Sequence, residues 1–240
     1  MKIKFIGTGS IRADRFSACA FVDDKILIDA PNGAMKQMKR LGSNPENISI
    51  VLITHFHGDH YFDIPFLMLE LGLTGQRSEH LTIVTPMGES NKLKQLFTMG
   101  YSVETWEKLV NNTNLEIIEI DDGESLQLHG YDIKAIEVEH DDDIKCLGYI
   151  VSKGEKTFGY TGDTRECSGV ETILQNTPIT VMDVSFVQKI PSHLSLAEAE
   201  LLAEKYKGKC KIIATHMFDE IREQEVKNIK IVDDGDVVNI

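Results

Sequence analysis

The sequence predicts an α/β (α+β) fold, a four-layer αββα sandwich formed as one domain over residues 1–240. Three observations predict it. Short β-rich runs fall into two sets, each followed by helical stretches, as two face-to-face sheets with helices outside require. The runs 49–54 and 211–215 are largely apolar without alternation, the mark of strands buried on both faces. No low-complexity linker divides the chain, and a 42% hydrophobic content suffices for a sizeable core.

Each element has a local reason. Strands are expected at 2–7, 18–22 and 25–29, with Asp23-Asp24 as a hairpin turn. A helix over 33–41 stops near Gly42, and the buried strand 49–54 follows. Residues 63–71 read as an apolar helix with Pro65 in its first turn. Strand 81–84 ends at Pro86 and Gly88, before helices over 89–99 and 103–111. In the second half, strands are expected at 115–120, 125–128, 131–138, 146–151 and 156–161, turning at Asp121-Asp122-Gly123 and Lys153-Gly154. A helix over 170–175, a strand over 179–183 and a helix over 195–206 come next; Ser195 and Glu198 have capping-box spacing. Strand 211–215 and a last hairpin turning at Asp234-Gly235 complete the chain.

Charge narrows the partners. Lys plus Arg number 25 and Asp plus Glu 38, a net charge of −13. Such a chain repels nucleic acid over most of its surface, so a nucleic-acid partner has to be held at a local positive centre. No apolar run reaches the ~18–20 residues that span a bilayer, so no membrane partner is expected. Cys19, Cys146, Cys167 and Cys210 lie far apart without a C-x-x-C pair. Neither a disulfide framework nor a thiolate metal site is expected, and a cytoplasmic location is the simplest reading.

The chemistry concentrates in Thr54-His55-Phe56-His57-Gly58-Asp59-His60. In extended backbone, residues i and i+2 point the same way, so His55 and His57 can grip one ion. Beyond a tight turn at Gly58, Asp59 and His60 can reach a second. A polar surface loop is the plain alternative; three His and one Asp at H-x-H-x-D-H spacing after a buried strand argue against it. Three further polar residues end expected strands: His140, Asp163 and His216. Singly, each reads as a solvated strand terminus. Together they complete a two-metal set, in which a carboxylate such as Asp163 bridges two cations and neutral imidazoles suit zinc, with manganese also accommodated. Two divalent cations outweigh the Asp59 and Asp163 carboxylates, leaving a positive centre able to attract phosphate.

These residues resemble the metallo-β-lactamase superfamily over nearly the whole chain, from Phe5-Ile6-Gly7-Thr8-Gly9-Ser10 through Ile26-Leu27-Ile28-Asp29 to His216. The resemblance implies the metallo-β-lactamase fold, one metal on His55, His57 and His140, another on Asp59, His60 and His216, and Asp163 as their bridge. The segment Pro191-Ser192-His193-Leu194-Ser195 resembles the His-x-Ser/Thr motif of the ribonuclease Z-like phosphodiesterases, as Gln76-Arg77-Ser78-Glu79-His80-Leu81-Thr82-Ile83 resembles a segment of that branch. By that resemblance His193 is a general acid, and Asp59 orients the attacking water or takes its proton. Ser195 is a substrate-binding candidate, although helix capping explains it too. Ala30-Pro31-Asn32-Gly33 departs from the branch's Cys-Gly-Glu-Gly-like turn. The branch also implies a homodimer, with helix 63–71 near its interface. That helix is apolar nearly all round, which burial inside one monomer explains as well.

The expected activity is phosphodiester hydrolysis with two divalent ions, zinc foremost. Ribonuclease Z enzymes that process tRNA 3′ ends usually carry a long arm between the third metal His and the bridging Asp. Here 22 residues separate His140 from Asp163, and two expected strands fill them. Together with the acidic charge, this favours a short form acting on a small phosphodiester such as a cyclic nucleotide. Processing of tRNA 3′ ends is the second expectation, and a catalytically inactive metal-binding sensor the third. Arg12 and Arg15 are candidates for a substrate phosphate or ordinary solvated charges; His80 and His129 match no motif.

Overall fold

The computed structural model describes residues 1–73 and 75–240. The first half runs β1 (Lys2–Gly7), β2 (Cys19–Val22), β3 (Ile26–Ile28), α1 (Ala34–Arg40), β4 (Ile50–Leu52), α2 (Gly58–Tyr61), α3 (Ile64–Gly72), β5 (Leu81–Pro86), α4 (Asn91–Gly100), α5 (Val103–Thr113) and β6 (Leu115–Ile120). The second half runs β7 (Ser125–Leu128), β8 (Tyr131–Val138), β9 (Cys146–Lys153), β10 (Lys156–Tyr160), α6 (Ser168–Asn176), β11 (Ile179–Asp183), α7 (Leu196–Lys205), β12 (Lys211–Thr215), α8 (Asp219–Arg222), β13 (Ile229–Ile231) and β14 (Val237–Asn239).

The strands form two mixed seven-stranded sheets, β14-β1-β2-β3-β4-β5-β6 and β13-β12-β11-β10-β9-β8-β7. In the first, β14 through β3 pair antiparallel and β3 through β6 parallel. In the second, β7 through β10 pair antiparallel and β10 through β13 parallel. One topology is therefore used twice. Its inner parallel strands are covered on both faces, which is why β4 and the middle of β12 read as unbroken apolar runs.

Period-two alternation sorts the side chains into layers. Ile3, Phe5, Ile26 and Leu52 of the first sheet meet Ile133, Leu147, Tyr149 and Val181 of the second, forming the central layer. Phe21, Leu27 and Val51 face outward onto Met38 of α1, Leu67 of α3, Phe97 of α4 and Trp106 of α5. Met182 and Ile212 pack on Ala199 and Leu202 of α7, and Ile136 and Ile150 on Ile173 of α6. The αββα sandwich is thus as expected, each fully buried aliphatic side chain contributing about 1.5–3 kcal/mol. Two hydrogen bonds tie the sheets near the end of β4: the Tyr149 hydroxyl donates to the Ile53 carbonyl at 2.7 Å, and the Leu147 N–H to the Thr54 carbonyl at 2.9 Å.

Three local expectations are corrected. The last two strands make no hairpin: β13 pairs with β12 in the second sheet and β14 with β1 in the first, so the Asp234-Gly235 turn crosses between sheets. Three-residue strands carry too short a pattern to reveal which edge they join. Asp234 ties this crossing to the N-terminal loop, accepting from the Thr8 hydroxyl at 2.9 Å and the Phe16 N–H at 3.0 Å. Gly58 opens α2 instead of forming a tight turn; a Cβ there would lie 2.7 Å from the Phe62 ring, so close packing is what requires glycine. Asp63 precedes α3 but caps α1, accepting from the Gly33 and Met35 N–H groups at 3.1 and 2.7 Å. The four cysteines are free thiols. Among the described residues, no helix is long and apolar enough to cross a membrane.

Candidate metal centre

Strand ends deliver five of the seven expected ligands. His55 and His57 follow β4, His140 follows β8, Asp163 follows β10 and His216 follows β12, while Asp59 and His60 ride on α2. Gly162 has φ +63, and a Cβ there would lie 2.8 Å from Thr54, so glycine lets the β10 end approach the β4 end. His216 itself has φ +56, a strained conformation for a non-glycine residue and one that clusters at functional sites.

The seven side chains converge. His55, His57 and His140 offer donor atoms within 4.8 Å of one another, as do Asp59, His60 and His216. Asp163 Oδ2 sits between the two groups, 3.2 Å from His216 Nε2, 3.3 Å from His60 Nε2, 3.9 Å from His140 Nε2 and 4.0 Å from His55 Nε2. Outer partners fix which nitrogen each ring presents. His55 Nδ1–H donates to the Thr54 hydroxyl at 3.0 Å, and His60 Nδ1–H to Asp29 at 2.9 Å. His140 Nδ1–H donates to the Ser192 carbonyl and His216 Nδ1–H to the Ser185 hydroxyl, both at 2.8 Å. His57 is turned the other way: its Nε2–H donates to Asp141 at 3.1 Å, leaving Nδ1 facing His140 Nε2 at 3.1 Å.

This donor set fits a pair of divalent cations. His55 Nε2, His60 Nε2 and His216 Nε2 are buried and have no hydrogen-bond partner. Leaving such a group unsatisfied costs roughly 1–3 kcal/mol, which coordination removes. Burial pushes His55 and His140 below the usual imidazole range, whereas the flanking Asp163 and Asp29 carboxylates hold His60 well above it. Asp163 is buried, yet the imidazoles around it keep its carboxyl well below the usual range, and so ionised.

His193 lines the same cavity, which encloses about 630 Å³. Its Nδ1–H donates to buried Asp183 at 2.7 Å, and its ring lies over that of His216 with centroids 5.1 Å apart at 12°. Burial pulls its pKa down, but the Asp183 charge and hydrogen bond outweigh this and raise it to about 9. Ser195 is placed in the capping box of α7, its hydroxyl shared with Glu198, and it is absent from the cavity lining. Arg15 is held by Asp233 and Asp219, and neither it nor Arg12 reaches the cavity wall. His80 is exposed, and neither it nor His129 lines the cavity.

Sequence reasoning missed the supporting shell. Asp29, buried at φ +59, accepts from the Thr54 N–H, the Thr54 hydroxyl and His60. Asp183 accepts from His193, the Ser185 hydroxyl and the Thr164 N–H. A signal was present for both: Asp29 follows a buried strand and Asp183 ends one, as five of the ligands follow one.

The site defines a class, proteins with two adjoining His/Asp metal positions at the strand ends of an αββα sandwich. The chain belongs to the beta-lactamase superfamily, whose sequence model, described as a beta-lactamase superfamily domain, matches residues 24–217. Among the curated proteins it resembles are ribonuclease Z enzymes. It is 32% identical over 161 residues to a ribonuclease Z of Pyrococcus horikoshii, covering 65% of this chain and 49% of that protein. It is 26% identical over 278 aligned positions to a ribonuclease Z of Archaeoglobus fulgidus, covering 90% of this chain and 87% of that protein. The crystal structure of human tRNase Z, short form, superposes with a TM-score of 0.78 at 18% identity, covering 100% of this chain and 99% of that one. The chain spans about half the length of the curated relatives it matches first. The 278-position alignment exceeds the 240 residues of this chain, so the Archaeoglobus relative carries insertions this chain lacks.

Proposed function

We propose that this protein is a metal-dependent phosphodiesterase and that its reaction is ribonuclease Z-type cleavage at the 3′ end of tRNA. One observation carries the chemistry: a His193 ring held by Asp183 faces the cavity in which seven candidate ligands converge. The ribonuclease Z relatives carry the substrate. They reverse the preference for a small substrate drawn from the sequence.

Two divalent cations, held by His55, His57 and His140 and by Asp59, His60 and His216 with Asp163 between, would supply Lewis acidity at phosphorus and activate water near neutral pH. Asp59, partly exposed to the cavity, orients the attacking water. As the water oxygen bonds to phosphorus its proton passes to Asp59, the ester P–O bond breaks, and His193 Nε2–H gives its proton to the departing oxygen. Asp183 keeps His193 cationic and its Nε2 directed at the cavity.

A second reading, hydrolysis of a small phosphodiester such as a cyclic nucleotide, is favoured by the rim. Asp141, Asp142 and Asp143 line the cavity beside His57, and only β9, β10 and short connections lie between His140 and Asp163. The homodimer reading is supported by exposed Phe62, Phe66 and Leu73 on and beside α3, and light scattering in solution tests it.

One panel tests the function. Metal-loaded protein is given a precursor tRNA with a 3′ trailer and a set of cyclic mononucleotides, with metal content measured on the same sample. Cleavage of the precursor at the trailer junction is expected. Turnover of cyclic nucleotides alone supports the second reading. Two bound metals with no phosphodiester turned over would leave the sensor reading standing.

A further inference from the structure

Two large aromatic side chains in this fold serve no core. Phe186 and Phe218 belong to none of the apolar clusters of the sandwich; both are half-buried and both line the cavity that holds His193. Their ring centroids are 4.5 Å apart at 35°, and Phe186 lies 5.7 Å from the His193 ring. With His193 over His216, aromatic rings run without a break from the candidate metal position to the rim.

The wall is fixed before anything binds. The Phe186 carbonyl accepts from the Leu196 N–H at 2.7 Å, the Ser185 N–H donates to the Leu194 carbonyl at 3.1 Å, and the Phe218 N–H donates to the Ser185 carbonyl at 3.2 Å. A preformed surface of this kind spends little entropy on ordering. The charges sit elsewhere. Asp141, Asp142 and Asp143 lie beside His57, and Arg165, the arginine of the lining, already has Nε on Glu139 and Nη2 on Asp142, each at 3.0 Å. The wall therefore suits a flat uncharged ring, whereas the acidic rim repels a further phosphate.

We propose that the Phe186–Phe218 wall binds the heterocyclic base of the nucleoside whose oxygen departs from phosphorus. This rests on the phosphodiesterase reading above but not on the choice between tRNA and a smaller ester. The geometry selects the departing side because His193, the group placed to protonate that oxygen, is the ring that adjoins Phe186. Base–aromatic stacking is sequence-tolerant, and the loss of one such contact corresponds to about a tenfold change.

The test compares a ribodinucleotide with an analogue lacking the base on the residue whose 3′-oxygen leaves. Both have alkoxide leaving groups, so intrinsic reactivity cancels. The metal-loaded protein is expected to prefer the base-bearing ester about tenfold or more in kcat/KM. Phe218→Ala, and Phe218→Leu which keeps the bulk, bring that ratio toward one, whereas Met99→Ala at the exposed end of α4 retains it. A readout without turnover uses 2-aminopurine riboside 3′-monophosphate: its fluorescence is quenched on binding, and its Kd rises about tenfold in Phe218→Ala. Equal cleavage of both esters, or a preference unchanged in both Phe218 variants, overturns the wall assignment. If neither ester is cleaved, the 2-aminopurine readout decides: absent quenching, or an equal Kd in Phe218→Ala, overturns the wall assignment, whereas the phosphodiesterase reading falls only if metal-loaded protein leaves precursor tRNA and cyclic nucleotides intact as well.

Discussion

The buried Asp183 carboxylate grips His193 through a 2.7 Å hydrogen bond to Nδ1, and its other oxygen holds the Ser185 hydroxyl that orients His216. One residue thus aligns a candidate acid and a candidate metal ligand. Asp183→Asn keeps an acceptor for Nδ1–H but removes the charge. The His193 pKa, raised to about 9, then falls, so the protonated acid is lost at lower pH. The expected outcome is a kcat lowered about tenfold or more, with the alkaline limb of the pH–rate profile moved to lower pH and metal content retained. An unmoved limb would remove Asp183 from this role.

Asp163 and His193 separate binding from chemistry. Asp163 Oδ2 lies within 4.0 Å of four imidazole nitrogens from both triads. Asp163→Ala is therefore expected to lose bound metal and activity together. His193 gives its Nδ1–H to Asp183 and stands outside both His/Asp triads, so His193→Ala is expected to keep its metals and lose about 10²–10⁴-fold in rate. Elemental analysis beside kinetics on the same preparations checks both. Metal loss in His193→Ala would refute the division of labour.

How much of this the sequence reveals depends on the range of each signal. The ligands at 55–60 are legible because four of them fall on one short segment after a buried strand. His140, Asp163 and His216 are legible only in concert, and Asp29 and Asp183 only as strand-end positions without a role, since a carboxylate there looks the same whether it faces solvent or a histidine. The two sheets follow from largely apolar runs of five or six residues. The fate of β14 does not, because the partner of a three-residue strand is decided by a turn whose Asp234 bonds to residues more than two hundred positions away. The departure at Ala30-Pro31-Asn32-Gly33 leaves the local support intact, for the Asp29 bond to His60 is made.

Asp29 supports the centre from beneath. Its carboxylate satisfies the Thr54 N–H, the Thr54 hydroxyl and His60 Nδ1, all fully buried. Asp29→Ala leaves these donors without partners and frees the His60 ring to rotate. Metal affinity is expected to fall about 10–100-fold, and stability by about 3 kcal/mol. Competition against a chromophoric chelator and denaturant melts measure the two effects. Wild-type affinity in a destabilised Asp29→Ala protein would show that His60 needs no partner.

Metal removal should soften the protein without unfolding it. The candidate centre lies at one end of the sandwich, whereas the central layer and the helix-facing layers are apolar and self-sufficient. Ligand linkage gives about 3–4 kcal/mol when free metal is 100–1,000 times the Kd, which for a chain of this size raises Tm by roughly 5–15 °C. Chelator-stripped protein is therefore expected to keep its far-UV circular dichroism and to gain that shift when zinc or manganese is restored. His193→Ala should retain the gain and Asp163→Ala lose it. A wild-type Tm indifferent to both ions would mean that the orphaned Nε2 atoms of His55, His60 and His216 are satisfied some other way.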